Sequence, residues 1–276
     1  MLLRDALQSA IDLFEQEGVG SPRMNAEVLM MFVLGCDRAH LYAHPERELT
    51  ADEAGRYKAV VSERARHKPS QYITGHQEFW GLDFLVSPAV LIPRPETEHV
   101  IEAMTELAPA PGAKIVDVGT GSGCIAIALA REFPQAEIEG VDISPEAVEV
   151  ALINAARLEC RHVRFRVNDL LDGFAAGSVN FVVSNPPYVG EAEPEKVQRQ
   201  VREYEPKIAV FAGPYGLDVY RRLIPQAFQT LKPGGWLVME IGFSIEQPIR
   251  AMLDGWSEVR VKADLQGIPR VVLATK

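Results

Sequence analysis

The sequence predicts an α/β fold: a mostly parallel seven-stranded sheet covered by helices, preceded by a small helical bundle and a β-hairpin linker. Three observations predict it. From Ala113 onward, short apolar runs alternate with helical patterns, and such alternation implies crossover connections and a sheet covered on both faces. Several of those runs end in Gly, Asp or Asn, at the carboxyl edge where open α/β sheets keep their sites. Residues 1–70 instead carry apolar side chains at helical spacing. The expected divisions are 1–72 for the helical part, 73–98 for hairpin and connector, and 99–276 for the sheet domain.

Composition sets the bounds. With 276 residues, 47% hydrophobic and 24% charged, the chain can bury one large core and one small one. No run of about 18 apolar residues occurs, so no membrane span is expected. The start, Met1 to Gly18, has early acids and no basic region, and reads as an amphipathic helix rather than a signal peptide. Cys36, Cys124 and Cys160 are odd in number and lack a Cys-x-x-Cys spacing, which points to a reducing cytoplasm without disulfides or a zinc site. A net charge of −10 is poor for gripping a phosphate backbone by charge alone. No direct nucleic-acid substrate and no membrane partner are expected, and the chain is read as a monomer.

Each element has its own local signal. Leu3, Leu7, Ile11 and Phe14 share one helical face. Ser21-Pro22 reads as an N-cap with proline at the first helical position, ahead of Ala26, Leu29, Met30, Val33 and Leu34. Thr50 with Glu53 forms a capping box. Four or five helices result. The basic run Arg56 to Lys68 is expected to be a solvated helix face, with contact to an RNA-binding partner as the other reading. Phe79, Trp80, Leu82, Phe84 and Val86 form a β-rich run that turns near Gly81-Leu-Asp83. Arg94 and Glu96, between prolines, lie in a rigid connector, and Thr97 is expected to cap a helix through Leu107. Strands are expected at 114–118, 137–141, 163–167, 179–184, 236–241, 257–262 and 270–274, with helices at 124–131, 145–158, 216–231 and 245–253.

The first strand of the sheet runs into Gly119-Thr-Gly-Ser-Gly123 and then a helix. Glycines allow a tight turn and close approach of backbone to a ligand, and the helix start offers free N–H groups. The dinucleotide pattern wants glycine at the sixth position, where Cys124 stands, and no Gly-Lys-Ser/Thr follows for a P-loop.

The fourth strand ends in Asn185-Pro-Pro-Tyr188. Pro186 pushes Asn185 into an extended conformation, and the two prolines remove two donors. A stiff turn remains that presents the Asn185 side-chain oxygen and the Pro186 carbonyl, with Tyr188 as a flat wall. Two acceptors and an aromatic face suit a planar NH2 group. Adenine N6, cytosine N4 and a glutamine amide all qualify.

Val116 to Gly123 resembles the Asp-x-Gly-x-Gly-x-Gly loop of class I methyltransferases. The resemblance implies a Rossmann-like domain in which Gly119, Thr120, Gly121, Ser122 and Gly123 wrap the amino-acid end of S-adenosylmethionine, leaving S-adenosylhomocysteine as product. Asp142 is then expected to accept from both ribose hydroxyls, Asp169 to reach the adenine amino group with Leu170 beside the ring, and Asn185 to border the same site.

Leu91-Ile-Pro-Arg-Pro-Glu-Thr-Glu98, Asp117-Val-Gly-Thr-Gly-Ser-Gly123 and Asn185-Pro-Pro-Tyr188 together resemble the HemK-type (PrmC) methyltransferases over nearly the whole chain. That family modifies the glutamine of the Gly-Gly-Gln motif in class I peptide chain release factors. By this resemblance Asn185 and Pro186 carry the glutamine amide, and Pro187 and Tyr188 line its slot. Ala212-Gly-Pro-Tyr-Gly216 departs from the paired glycines more usual there. The alternative is an adenine-N6 methyltransferase acting on RNA or DNA, which wants a basic, aromatic-lined groove. Residues 1–90 hold 9 Lys/Arg against 13 Asp/Glu, which disfavours it. A non-enzymatic binder is disfavoured by the intact loop together with Asp142 and Asn185.

Overall fold

A computed structural model describes residues 1–192 and 197–276. The chain divides into two compact units: Met1–His76 with Gln198–Tyr204, and Gln77–Val197 with Glu205–Lys276.

The first unit is helical: α1 (Leu3–Gln16), α2 (Pro22–Leu34), α3 (Arg38–Ala43), α4 (Ala51–Ala65) and α5 (Ser70–Thr74), with the returning helix Arg199–Tyr204. Its core joins Leu3, Phe14, Leu29, Met30 and Tyr57. The capping box at Thr50 forms in both directions, Glu53 N–H to Thr50 Oγ1 at 3.2 Å and Thr50 N–H to Glu53 Oε2 at 2.9 Å. The Ser21 cap does not form. Ser21 sits in the left-handed region at φ 50°, and its side chain caps nothing. Instead, the Asn25 side chain donates to the carbonyls of Gly20 and Ser21 and holds this helix start.

The basic run is only partly a solvated face. Arg56 pairs with Asp52 in the open, but Arg64 is buried. It donates to Asn25 Oδ1, the Lys68 carbonyl and Gln200 Oε1. A guanidinium has five donors in a fixed fork, and this one ties helix to returning segment rather than facing a partner.

A hairpin follows, β1 (His76–Phe79) and β2 (Leu82–Leu85), which belongs to the second unit from Gln77 on. The turn falls on Trp80 and Gly81, both at positive φ, 53° and 69°. Trp80 accepts that conformation because its backbone N–H is held by Glu98 Oε1 and its indole N–H by Glu132 Oε1. Phe79 and Phe84 are buried in one cluster with Ile101, Met104, Ile115 and Ile127. Burying each phenylalanine is worth about 1.5–3 kcal/mol, so the hairpin is part of this core.

The sheet contains β3 (Lys114–Val118), β4 (Glu137–Asp142), β5 (Arg164–Val167), β6 (Val179–Ser184), β7 (Leu231–Glu240), β8 (Glu258–Ala263) and β9 (Pro269–Thr275). Their order is β5-β4-β3-β6-β7-β9-β8. The first five are parallel, and β9 runs antiparallel to both β7 and β8. Strand order therefore reverses at β3, the switch point where open sheets bind ligands. Helices α6 (Glu98–Leu107), α7 (Cys124–Glu132) and α8 (Pro145–Arg157) follow the expected pattern. Thr97 does not cap α6. It lies in the 3-10 turn Pro95–Thr97 and makes no capping bond; its hydroxyl is committed elsewhere.

Candidate active site

A cleft of about 950 Å³, counted to its open mouth, lies at the carboxyl edge of β3, β4 and β6. It is lined by Gly119 and Gly121 after β3, Asp142 at the end of β4, Asp169 and Leu170 after β5, and Asn185, Pro186 and Pro187 after β6. Four strand ends thus deliver most of the residues expected there. Thr120, Ser122, Gly123 and Tyr188 are not on its wall.

Within the glycine loop, Gly119 and Gly121 border the cleft while Thr120, Ser122 and Gly123 do not. Gly121 has φ 54°, and a Cβ built on it would meet nothing within 4 Å, so it borders open cleft. Gly123 faces inward: a Cβ there would come within 3.1–3.2 Å of Ala151, Ile127 and Phe165, so glycine lets α7 pack close. Thr120 donates to Asp117 Oδ2 at 2.6 Å. The Ala126 N–H reaches the same oxygen at 3.2 Å. Asp117 is wholly buried, Oδ1 has no hydrogen-bond partner among the described residues, and desolvation pushes its carboxyl up to about 7. Asn154, buried on α8, donates to the Ser122 carbonyl and exchanges bonds with both backbone groups of Leu85.

Asp142 receives the Gly121 N–H on Oδ2 at 2.9 Å and the Ser144 N–H on Oδ1 at 3.0 Å. Burial raises its pKa, while the amides of Ser144, Gly121 and Ile143 oppose the rise. Each oxygen keeps a lone pair for a second donor. Asp169 carries the Arg222 guanidinium on Oδ2 at 2.7 Å, and Arg222 also lines the cleft. Leu170 is held at φ 50° while Asn168 Nδ2 binds its carbonyl.

The Asn-Pro-Pro-Tyr turn is braced from behind. Ser184 Oγ donates to the Val118 carbonyl at 2.6 Å, locking β6 to β3 beside the turn. The Val189 N–H meets the Val210 carbonyl, and the Ala212 N–H meets that of Val189. Gly216 lies so close that a Cβ would fall 2.1 Å from the Tyr188 carbonyl. Tyr188 is off the cleft wall, and its ring lies against Gly242. Burial, then Glu240, push the phenol pKa well up.

Four residues here escaped sequence reasoning. Thr97, 2% exposed, accepts the Asn185 Nδ2–H at 2.9 Å and donates to Glu240 Oε2 at 2.7 Å. Glu240 is buried at the end of β7, where desolvation pushes its carboxyl up to about 7. Glu205, 5% exposed, accepts from the Ile92 N–H and from Arg94. Arg222 is the fourth. An acid inside the apolar run Trp236–Ile241 was the available signal for Glu240; Glu205 and Arg222 gave none.

Every described residue named above belongs to the second unit. Among the described residues no cluster of His, Cys, Asp and Glu suits a metal ion. No helix of the described chain is long and apolar enough to cross a membrane.

Comparison with known proteins adds the family. A pattern described as "PrmC N-terminal domain" matches residues 5–75, and one described as "Methyltransferase small domain" matches residues 97–203. A protein of Koribacter versatilis named release factor glutamine methyltransferase is 56% identical, covering 100% of this chain and 99% of its own. Proteins of that name from Geobacter sulfurreducens and Moorella thermoacetica are 40% and 41% identical, over 98% and 99% of this chain. A methyltransferase from Pyrococcus furiosus shares the fold, with a TM-score of 0.53 at 18% identity, covering 78% of this chain and 97% of its own. The chain belongs to the release factor glutamine methyltransferase family.

Proposed function

We propose that this chain transfers a methyl group from S-adenosylmethionine to the side-chain amide nitrogen of the glutamine in the Gly-Gly-Gln loop of class I release factors, acting as a cytoplasmic monomer. The observation that carries the reading is the Asn185-Pro-Pro turn beside a glycine-edged cleft at the switch point. The free thiols of Cys36, Cys124 and Cys160 fit a reducing compartment.

The residues present fit the cofactor. Gly119 and Gly121 leave open space where side chains would stand. Asp142 offers carboxylate lone pairs for ribose hydroxyls, Asp169 an acceptor for the adenine amino group, and Leu170 and Ile143 apolar faces for the ring. When bound, S-adenosylmethionine supplies an electrophilic methyl group on a positively charged sulfur.

The chain's own contribution is positioning and electrostatics. An amide nitrogen is a weak nucleophile because its lone pair is delocalised into the carbonyl. Asn185 Oδ1 and the Pro186 carbonyl accept its two N–H bonds and favour a more pyramidal, electron-rich nitrogen. The rigid prolines hold those acceptors ready, so no reorganisation is needed as charge develops. No strong base is required, since the nitrogen becomes acidic as the new bond forms. The flanking glycines of the substrate loop carry no side chains to clash with a narrow slot. Acting on a protein amide also avoids unstacking a base, which costs a few kcal/mol.

The test is mass mapping. Incubate the protein with cofactor and a release factor, its Gln→Glu variant, and adenine-containing RNA and DNA. A single added methyl on the loop glutamine is expected. Methylation of nucleic acid and not of the release factor overturns the reading in favour of the adenine one.

A further inference from the structure

Asn185 has two ends of nearly equal shape, and only one suits a substrate NH2 group. Its oxygen accepts; its own NH2 would set donor against donor. Packing cannot distinguish them, so hydrogen bonds must. Thr97 Oγ1 has one proton, and it goes to Glu240 Oε2 at 2.7 Å. What Thr97 offers Asn185 at 2.9 Å is a lone pair, and only the Asn185 NH2 can use it. Thr97 is 2% exposed and Glu240 is 2% exposed, so water offers neither an easy substitute. Glu240 is itself fixed, with the Tyr220 hydroxyl on its backbone carbonyl at 2.8 Å.

We propose that Thr97 and Glu240 are a positioning pair for methyl transfer: Glu240 takes the Thr97 proton, and Thr97, left with a lone pair, accepts the Asn185 NH2 and so forces its Oδ1 toward the substrate. This rests on the functional reading above. Neither residue lines the cleft. They act through Asn185, so their removal misdirects an acceptor without removing it. An ionised Glu240 can only accept, which fixes the proton order, and burial raises its carboxyl to about 7, so assays belong at pH 8.

The experiment measures kcat and KM on a release factor, and cofactor affinity by calorimetry, for wild type, Thr97→Val, Thr97→Ser and Glu240→Gln. Each change is repeated in an Asn185→Asp background. Valine keeps the shape of threonine but offers no lone pair. Glutamine at 240 replaces two equivalent acceptor oxygens with one oxygen and one NH2, and with that NH2 toward Thr97 the threonine proton turns toward Asn185. We expect Thr97→Val and Glu240→Gln to lower kcat about tenfold or more, with cofactor affinity within twofold, and Thr97→Ser to restore most turnover. A carboxylate has no wrong flip, so in the Asn185→Asp background the same changes should alter kcat by less than threefold. If Asn185→Asp is inactive, the kcat and affinity pattern in the Asn185 background decides alone. If Thr97→Val does not fold, Glu240→Gln carries the test. Turnover within twofold of wild type for the folded variants overturns the proposal, as does an equal loss in both backgrounds. An inert wild type overturns the functional reading, and this inference with it.

Discussion

The Arg94 guanidinium sits on the carboxylate of Glu205, a residue 111 positions later whose side chain is only 1% exposed. The second oxygen of Glu205 takes the Ile92 N–H at 3.2 Å. The Ile-Pro-Arg-Pro connector is thus anchored to the segment whose Pro206, Ile208 and Ala209 wall the cleft. Removing one partner of a buried pair strands the other, at about 3–5 kcal/mol. Arg94→Ala should therefore cost about 3 kcal/mol, on the order of 10 °C in melting temperature. Glu205→Gln should cost less, because it leaves Arg94, which is 28% exposed, able to reach water. Calorimetric melting of both variants checks this; a larger loss for Glu205→Gln would show that Arg94 is not rescued by water and overturn this ordering.

Asp142 serves two purposes, and the prediction has to separate them. Its oxygens pin the loop through the Gly121 and Ser144 amides, and they face the cleft. Asp142→Ala should weaken S-adenosylmethionine binding by about 1.5–3 kcal/mol for each lost charged hydrogen bond. Asp142→Asn keeps one acceptor oxygen and should fall between alanine and wild type in calorimetric titration. Unchanged affinity in the alanine variant would remove Asp142 from the ribose site.

The readable residues and the unreadable ones differ in how far their causes lie along the chain. The glycine loop, Asp142, Asp169 and Asn185 each end a strand, and apolar runs ending in polar turns announce such positions locally. Thr97 looked like a cap because threonine before a helix usually is one. Its partners lie 88 and 143 residues away, and the tertiary bonds took the hydroxyl. Tyr188 looked like a cleft wall because it follows the turn. Its ring packs instead against Gly242, which has no side chain to fill that space. Ser21 failed similarly, since Asn25 took the carbonyls at that helix start. Local rules name the edge of the site but not the second layer that aims it.

Glu240 makes stability depend on pH in a defined direction. Its folded pKa is raised from 4.5 to about 7, chiefly by burial, with Glu96 and Tyr188, Tyr220 and Arg270 around it. A raised carboxyl pKa means that the folded state holds a proton which the unfolded state has released. The stability is present below about pH 4.5 and is lost as pH rises through about 7. Asp117, raised from 3.8 to about 7, adds a loss of the same sign. Glu240→Gln cannot ionise, so its stability relative to wild type should grow across that window by a few kcal/mol. Denaturant melts at pH 5, 6, 7 and 8 measure it. A constant difference between the two proteins would show that Glu240 does not titrate there.

Asn185→Ala should separate binding from chemistry. Asn185 borders the cleft, yet the loop and Asp142 hold most of the groups assigned to the cofactor. Cofactor affinity should therefore change by less than about threefold, or 0.7 kcal/mol. Turnover should fall far more, because an acceptor that strengthens as the nitrogen pyramidalises acts in the transition state; losing one such oriented group costs about 10²–10³ in kcat. Folding should suffer little, since the Thr97 hydroxyl keeps its bond to Glu240, and one lost hydrogen bond is worth about 1 kcal/mol. Single-turnover methylation of a release factor, with calorimetric titration of the cofactor, gives both numbers. Equal losses in affinity and turnover would assign Asn185 to holding the cofactor rather than to the amide.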